Sequence, residues 1–138
     1  MPETVHASAV SLNGRALLIK GASGSGKSSL ALELMAFGAG LIGDDRINLS
    51  RHADQVMASC PATLRGMIEA RGVGILRARP ASPAPLVCVV DLELTSEERL
   101  PQVQAITLLG CNLPLIQRPI GVSFAPALLQ YLRAGRIA

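Results

Sequence analysis

The sequence predicts an α/β fold in which a mixed sheet, flanked by helices, is built around a phosphate-binding loop. Three observations carry this expectation. Short apolar runs of strand character alternate with segments whose apolar residues recur at helical spacing. The first two runs are joined by Asn13-Gly14, a two-residue hairpin signal, so the sheet opens antiparallel and is not purely parallel. The glycine-rich stretch from Gly21 to Ser28 follows a strand pattern and precedes a helix pattern, the context in which such a loop binds phosphate.

Along the chain, Val5 to Leu12 and Arg15 to Lys20 are the arms of the opening hairpin. Gly21 to Lys27 is a turn, and Ser28 to Phe37 is the first helix, with Leu30, Ala31, Leu34 and Met35 on one face and Gly38 and Gly40 ending it. Leu41-Ile42-Gly43 and Ile47 to Ser50 read as strands. Pro61 to Ile68 is expected to be a helical turn, opened by proline at its first position. Arg79-Pro80-Ala81-Ser82-Pro83-Ala84-Pro85 reads as a crossover loop inside one domain, and no internal repeat is visible. Val73 to Leu76, Leu86 to Leu92, Ala105 to Leu109 and Leu113 to Ile120 are further strand candidates. The closing segment, Ala125 to Arg136, places Ala125, Leu128, Leu129 and Leu132 on one helical face, with Arg133 and Arg136 where the helix dipole favours cations.

Composition narrows the function. At 138 residues, with 49% hydrophobic and 17% charged residues, the chain fits a single domain spanning residues 1–138 and excludes disorder. The net charge of +3 suits anionic ligands of nucleotide size and is too small to indicate duplex DNA. With Phe37, Phe124 and Tyr131 as its aromatics, the chain has little from which to build a stacking platform for single-stranded nucleic acid. The apolar runs are far shorter than the roughly 18 residues that span a bilayer, and the start lacks a signal-peptide pattern, so no membrane partner and a cytoplasmic location are expected. Cys60, Cys88 and Cys111, odd in number and set among apolar residues, are expected to be reduced core thiols.

Gly21-Ala22-Ser23-Gly24-Ser25-Gly26-Lys27-Ser28 fits G-x-x-x-x-G-K-[ST] at every specified position. Its small residues let backbone N–H groups surround phosphate oxygens, the helix N-terminus adds a favourable dipole, Lys27 reaches the β- and γ-phosphates, and the Ser28 hydroxyl can coordinate Mg²⁺. A helix of this length leads about 15 Å away from the loop. Gly40 to Asp45 leads back about as far at strand rise. Asp44-Asp45 is therefore expected at the level of the phosphates, where repulsion between adjacent carboxylates makes one a better proton acceptor and leaves the other to hold metal-bound water. Alone, the pair also reads as a solvated turn. Asp91, ending the run Leu86 to Val90, is a rival for the metal-site aspartate. His6, on an apolar strand, is open to a structural reading, as is Glu69-Ala70-Arg71-Gly72-Val73-Gly74, which could be an edge turn.

Taken together, His6, the loop from Gly21 to Ser28, Asp44-Asp45 and the Glu69 to Gly74 segment resemble the catalytic domain of HPr kinase/phosphorylase, in the short single-domain form of alphaproteobacteria. The family's pattern is a histidine opening the domain, a Gly-Asp-Ser-Gly-x-Gly-Lys-Ser loop, an Asp-Asp pair ending the next strand, and a Glu-Ile-Arg-Gly-Leu-Gly signature. The likeness runs from about Val5 to Pro119. It implies the mixed-sheet fold shared with PEP carboxykinase and an ATP-dependent protein-serine kinase acting on the phosphocarrier HPr. Asp45 would be the base for the seryl proton, Ser28 and Glu69 would hold Mg²⁺, and Lys27 with Arg71 or Arg99 would stabilise developing charge. Members form hexamers, so a homo-oligomer is implied. The chain departs from the pattern at Ala7 and Ala22, and has Gly121-Val122-Ser123-Phe124 where the family has Arg-Pro-Gly-Arg. That last departure sets the expectation of a kinase with weak phosphorylase activity. The rival classes are a nucleotide-binding regulatory NTPase or switch and a small-molecule kinase. The Asp-Asp pair and the Glu69 segment favour a transferase, and no N-K-x-D guanine motif is present.

Overall fold

The computed structural model describes residues 2–138. Strands β1 (Glu3–Leu12) and β2 (Arg15–Lys20) form the expected antiparallel hairpin, turning through Asn13 and Gly14 with φ of 54° and 75°. Helix α1 (Lys27–Ala36) follows the glycine-rich loop and buries Leu30, Ala31 and Leu34. Then come β3 (Gly40–Gly43), β4 (Arg46–His52), β5 (Gln55–Ser59), a 3₁₀ turn at Ala62–Leu64, β6 (Met67–Ala70), β7 (Gly74–Arg77), β8 (Ala84–Ser96), β9 (Gln104–Leu108), β10 (Cys111–Pro119) and α2 (Phe124–Ala134).

Two long strands organise the sheet. Strand β1 pairs with β4 through its first half and with β2 and β3 through its second. Strand β8 pairs antiparallel with β5 at Ala84 and Pro85, then parallel with β2 and β10. The pairings β1–β2, β2–β8, β8–β5, β5–β4 and β4–β1 therefore close a ring. Strands β10 and β9 extend it on one side. Alternation along the strands fills two cores. Ala16, Leu18, Leu86 and Val89 point into the ring with Ala7, Ala9, Ile47, Leu49 and Val56. Leu17, Ile19, Cys88 and Val90 point outward against Leu30 and Leu34 of α1 and Leu128, Leu129 and Leu132 of α2. The apolar face expected of the C-terminal helix is the face that packs.

Several expectations are corrected. Pro61 to Ile68 is not a helical turn: only Ala62–Leu64 coil, as a 3₁₀ turn, and the chain then reverses at Gly66 with φ of 76°, a conformation open to glycine without cost. Ile68 belongs to β6, which pairs with β7 as a separate two-stranded sheet against α1. Strand β5 is an element without a counterpart in the expectations, and β8 runs to Ser96, well beyond Leu92. The Arg79 to Pro85 segment does cross between halves, anchored by the Ala81 N–H donating to the Leu41 carbonyl at 2.7 Å. Cys88 and Cys111 are buried, Cys60 is half-buried, and all three are free. Burial pushes the Cys88 thiol up to about 12, so it is an inert filler of the core.

Candidate functional site

The glycine-rich loop leaves the carboxyl end of β2, beside its parallel neighbour β8, and enters α1 at Gly26, whose φ of 103° turns the chain into the helix. In open α/β sheets, the crevice outside such strand ends is where ligands bind. A cleft of about 740 Å³ lies here, and Ser23, Gly24, Gly26, Lys27, Ser28 and Ser29 form one wall. Gly21, Ala22 and Ser25 shape the loop without lining the cleft. The Lys27 ammonium donates to the carbonyls of Gly21 at 2.8 Å and Ala22 at 3.1 Å, so it caps the start of its own loop. A guanidinium from elsewhere steadies the opposite shoulder, with Arg118 Nη2 donating to the Ser25 carbonyl at 3.2 Å. Arg118 comes from β10, just past a register shift between Gln117 and Arg118.

The return strand β3 brings Asp44 to the loop as the length arithmetic requires. Asp44 is 7% exposed. Its Oδ1 accepts from the Ser28 hydroxyl at 2.7 Å and from the Ser8 hydroxyl at 2.6 Å, and its Oδ2 accepts from the Glu69 N–H at 3.1 Å. Each hydrogen bond to a charged group contributes roughly 1.5–3 kcal/mol, and three of them offset what burying a carboxylate costs. Asp45 is the opposite case. The chain turns at Asp45 with φ of 73°, held by the Arg46 N–H on the Asp44 carbonyl and the Ala7 N–H on the Asp45 carbonyl, so its side chain is thrown into the open cleft. There it faces His6, with Nε2 3.4 Å from Oδ1 and both side chains more than half exposed. An exposed pair of this kind contributes about 1 kcal/mol at most to folding, and a left-handed aspartate is an uncommon, mildly strained conformation. Neither is explained by stability.

The opposite wall belongs to the β6–β7 hairpin, where Glu69 and Arg71 line the cleft with Met67, Ile68 and Ile75. Gly72 occupies the hairpin turn beside Arg71 with φ of 83°. Arg99 is not brought in; it lies exposed beyond β8 and lines no part of the cleft. Asp91 also stays outside. It ends opposite Lys20 in the β2–β8 ladder, 3.7 Å from the Lys20 ammonium, with Oδ1 accepting from the Glu93 N–H at 2.9 Å. Ser8 is not among the site residues expected from the sequence, and Arg118, just upstream of the Gly121 loop, is not expected against the phosphate loop. A signal existed for Ser8, a hydroxyl two positions after His6 and so on the same strand face.

Ser28, Asp44 and Glu69 all line the cleft and all carry hard oxygen donors. Among the described residues no group of three His, Cys, Asp or Glu side chains forms a ready cage. One or two carboxylates completed by ligand phosphates and water are what Mg²⁺ ordinarily takes, so this donor set fits it.

Comparison with known proteins gives a consistent result. Residues 1–81 match the model of the HPr Serine kinase C-terminal domain. The chain is 47% identical over 77 residues to the HPr kinase/phosphorylase of Bordetella pertussis (strain Tohama I), covering 55% of this chain and 25% of that protein. It is 34% identical over 131 residues to the HPr kinase/phosphorylase of Azoarcus sp. (strain BH72), covering 85% of this chain and 42% of that protein. The chain thus spans less than half the length of these relatives. Among solved structures it is similar to the Hpr(Ser) kinase/phosphatase from Coxiella burnetii, with a TM-score of 0.77 at 27% identity, covering 95% of this chain and 93% of that one. No described helix is long and apolar enough to cross a membrane.

Proposed function

Because the chain belongs to the HPr Serine kinase C-terminal domain family, we propose that residues 1–138 act as one catalytic unit that transfers the γ-phosphoryl group of ATP to a serine hydroxyl of an HPr-type phosphocarrier, in the cytoplasm. The observation that carries this reading is the placing of the exposed Asp45–His6 pair in the same cleft as the phosphate loop. An acceptor hydroxyl must give up a proton as it attacks, and a solvent-facing carboxylate beside the loop is placed to take it.

The backbone N–H groups of the loop and the α1 N-terminus would hold the triphosphate. Lys27, resting on carbonyl oxygens, has a stronger partner in the β- and γ-phosphates and would exchange one for the other. Ser28, Asp44 and Glu69 would hold Mg²⁺, which when bound neutralises charge on the phosphate oxygens. Asp45 accepts the proton of the acceptor serine as its oxygen bonds to the γ-phosphorus and the bond to the ADP oxygen breaks. His6, with Nε2 3.4 Å from Asp45 Oδ1, would orient that carboxylate toward the acceptor. Arg71, on the facing wall, is better placed than Arg99 to stabilise charge on the transferring group.

The test is incubation with ATP labelled in its γ-phosphate, Mg²⁺ and purified HPr, followed by mapping of the labelled residue. Label on one HPr serine is expected. Phosphate release with HPr left unlabelled would overturn the proposal in favour of an NTPase, and label on a small molecule in favour of a small-molecule kinase.

A further inference from the structure

Ser8 has no place in the mechanism above, yet it is fully buried and bonded to the carboxylate at the centre of the site. It is 0% exposed and carries a hydroxyl at a strand position whose neighbours, Ala7, Ala9 and Val10, are all apolar. A buried hydroxyl is costly unless it is bonded. Its proton goes to Asp44 Oδ1 at 2.6 Å, the same oxygen that accepts the Ser28 proton at 2.7 Å. Strand β1 is also the piece of backbone that sets the loop against the carboxylate: it pairs with β2 at Ser8↔Ile19, one residue before Lys20 opens the loop, and with β3 at Ala9↔Gly43, one residue before Asp44.

We propose that Ser8 is a positioning residue for the metal–nucleotide site, acting through Asp44 on Ser28. This rests on the nucleotide-site reading above and deepens it. A serine hydroxyl has one proton and two lone pairs. With the Ser28 proton committed to Asp44, its lone pairs are left to the cleft that Ser28 lines, the orientation a hard cation requires. That orientation holds only while Asp44 keeps its rotamer. The Glu69 N–H fixes Oδ2, and on Oδ1 the donor that is not itself a prospective metal ligand is Ser8. Ser8 therefore keeps Oδ1 in place whatever Ser28 binds.

A purely structural Ser8, there to satisfy a buried carboxylate, makes a different prediction, because its loss would lower stability without regard to metal. The experiment is calorimetric binding of ADP with and without Mg²⁺ to wild type, Ser8→Ala, Asp44→Ala and the double variant, with melting temperature as the check on folding; alanine is used because an asparagine oxygen would still accept from Ser8. Ser8→Ala is expected to weaken Mg²⁺–ADP binding by about tenfold, the loss of one hydrogen bond to a charged group. ADP binding without metal should stay within about twofold of wild type, and Ser8→Ala should add no further loss in the Asp44→Ala background. Ser8→Cys, a weak donor of similar size, should fall between wild type and alanine and serves if the alanine variant unfolds. Equal losses with and without Mg²⁺, or losses that add to those of Asp44→Ala, would overturn the proposal. Wild-type binding that survives unchanged in Ser8→Ala sinks this proposal alone, whereas failure of wild type to bind Mg²⁺–ADP sinks the nucleotide-site reading with it.

Discussion

Lys27 illustrates how a single residue could hold a place for the proposed nucleotide. Its ammonium sits on two carbonyls of its own loop, and a phosphate chain would draw it away from them. Lys27→Ala is expected to lower nucleotide affinity at least about tenfold by calorimetry, since the loop loses its cation. Unchanged affinity and turnover would remove the loop from the mechanism. The neighbouring aspartates separate by environment. Asp45→Asn keeps size but cannot take a proton, so phosphoryl transfer should drop by about 10²–10⁴-fold while Mg²⁺–nucleotide binding stays near wild type. The check is single-turnover transfer alongside calorimetry. A nearly silent Asp45→Asn with a damaging Asp91→Asn would mean that Asp91 has the role, against its placement beside Lys20 outside the cleft. At this scale the sequence was most legible where chemistry constrains residue type. The loop, Asp44, Asp45 and Glu69 could all be named from spacing and resemblance, and all line or brace one cleft. Ser8 could not, because a serine on an apolar strand has many uses and only its partner distinguishes them.

At the scale of elements, the β6–β7 hairpin matters most, because it brings the facing wall of the cleft and is held apart from the main sheet. Its Glu69 side chain is exposed, while its backbone N–H is bonded to Asp44. Glu69→Gln should leave that backbone bond intact and raise the Mg²⁺ concentration for half-maximal activity about tenfold, since a neutral amide is the poorer ligand for a hard cation. A superimposable Mg²⁺ titration would reduce Glu69 to a structural residue. This hairpin is also where sequence reading went wrong. Leu64 and Ile68 lie four apart and follow a proline, which is helix spacing and a helix start, but Gly66 reverses the chain between them. Strand β5 escaped because only Val56 and Ala58 mark its inward face, too short an alternation to separate from loop. By contrast, the β1–β2 hairpin and both helices were legible, since a turn pair and a continuous apolar face are local signals.

For the whole molecule, the loop after β10 bears on the direction of reaction. Residues 121–125 carry no charge, and two of the nearby arginines are committed elsewhere, Arg118 to the Ser25 carbonyl and Arg136 to the Pro101 carbonyl, while Arg133 lies exposed in the last turn of α2. Removing phosphate from phosphoserine with inorganic phosphate brings two anions together and calls for extra donors. Phosphate-dependent consumption of phosphoserine-HPr should therefore run at least about tenfold slower than the forward reaction, measured by pyrophosphate formation without nucleotide. Comparable rates would show those donors to be dispensable, or supplied across a homo-oligomer, whose presence light scattering would establish.

The ring of strand pairings also dictates an order of events during synthesis. Residues 1–81 carry the phosphate loop, Asp44 and Glu69, everything the family model matches, yet β2 waits for its parallel neighbour and β5 for its second neighbour until β8 has been made. Until Ala84–Ser96 leave the ribosome, Leu17 and Ile19 lack Cys88 and Val90 beside them in the outer core. A chain cut after residue 81 should hold the chemistry and not the fold, showing no cooperative melting by circular dichroism and no retention of nucleotide. The nascent protein should thus be exposed to aggregation over the very stretch that encodes its proposed catalytic groups, until β8 and then α2, which contribute none of them, complete the core.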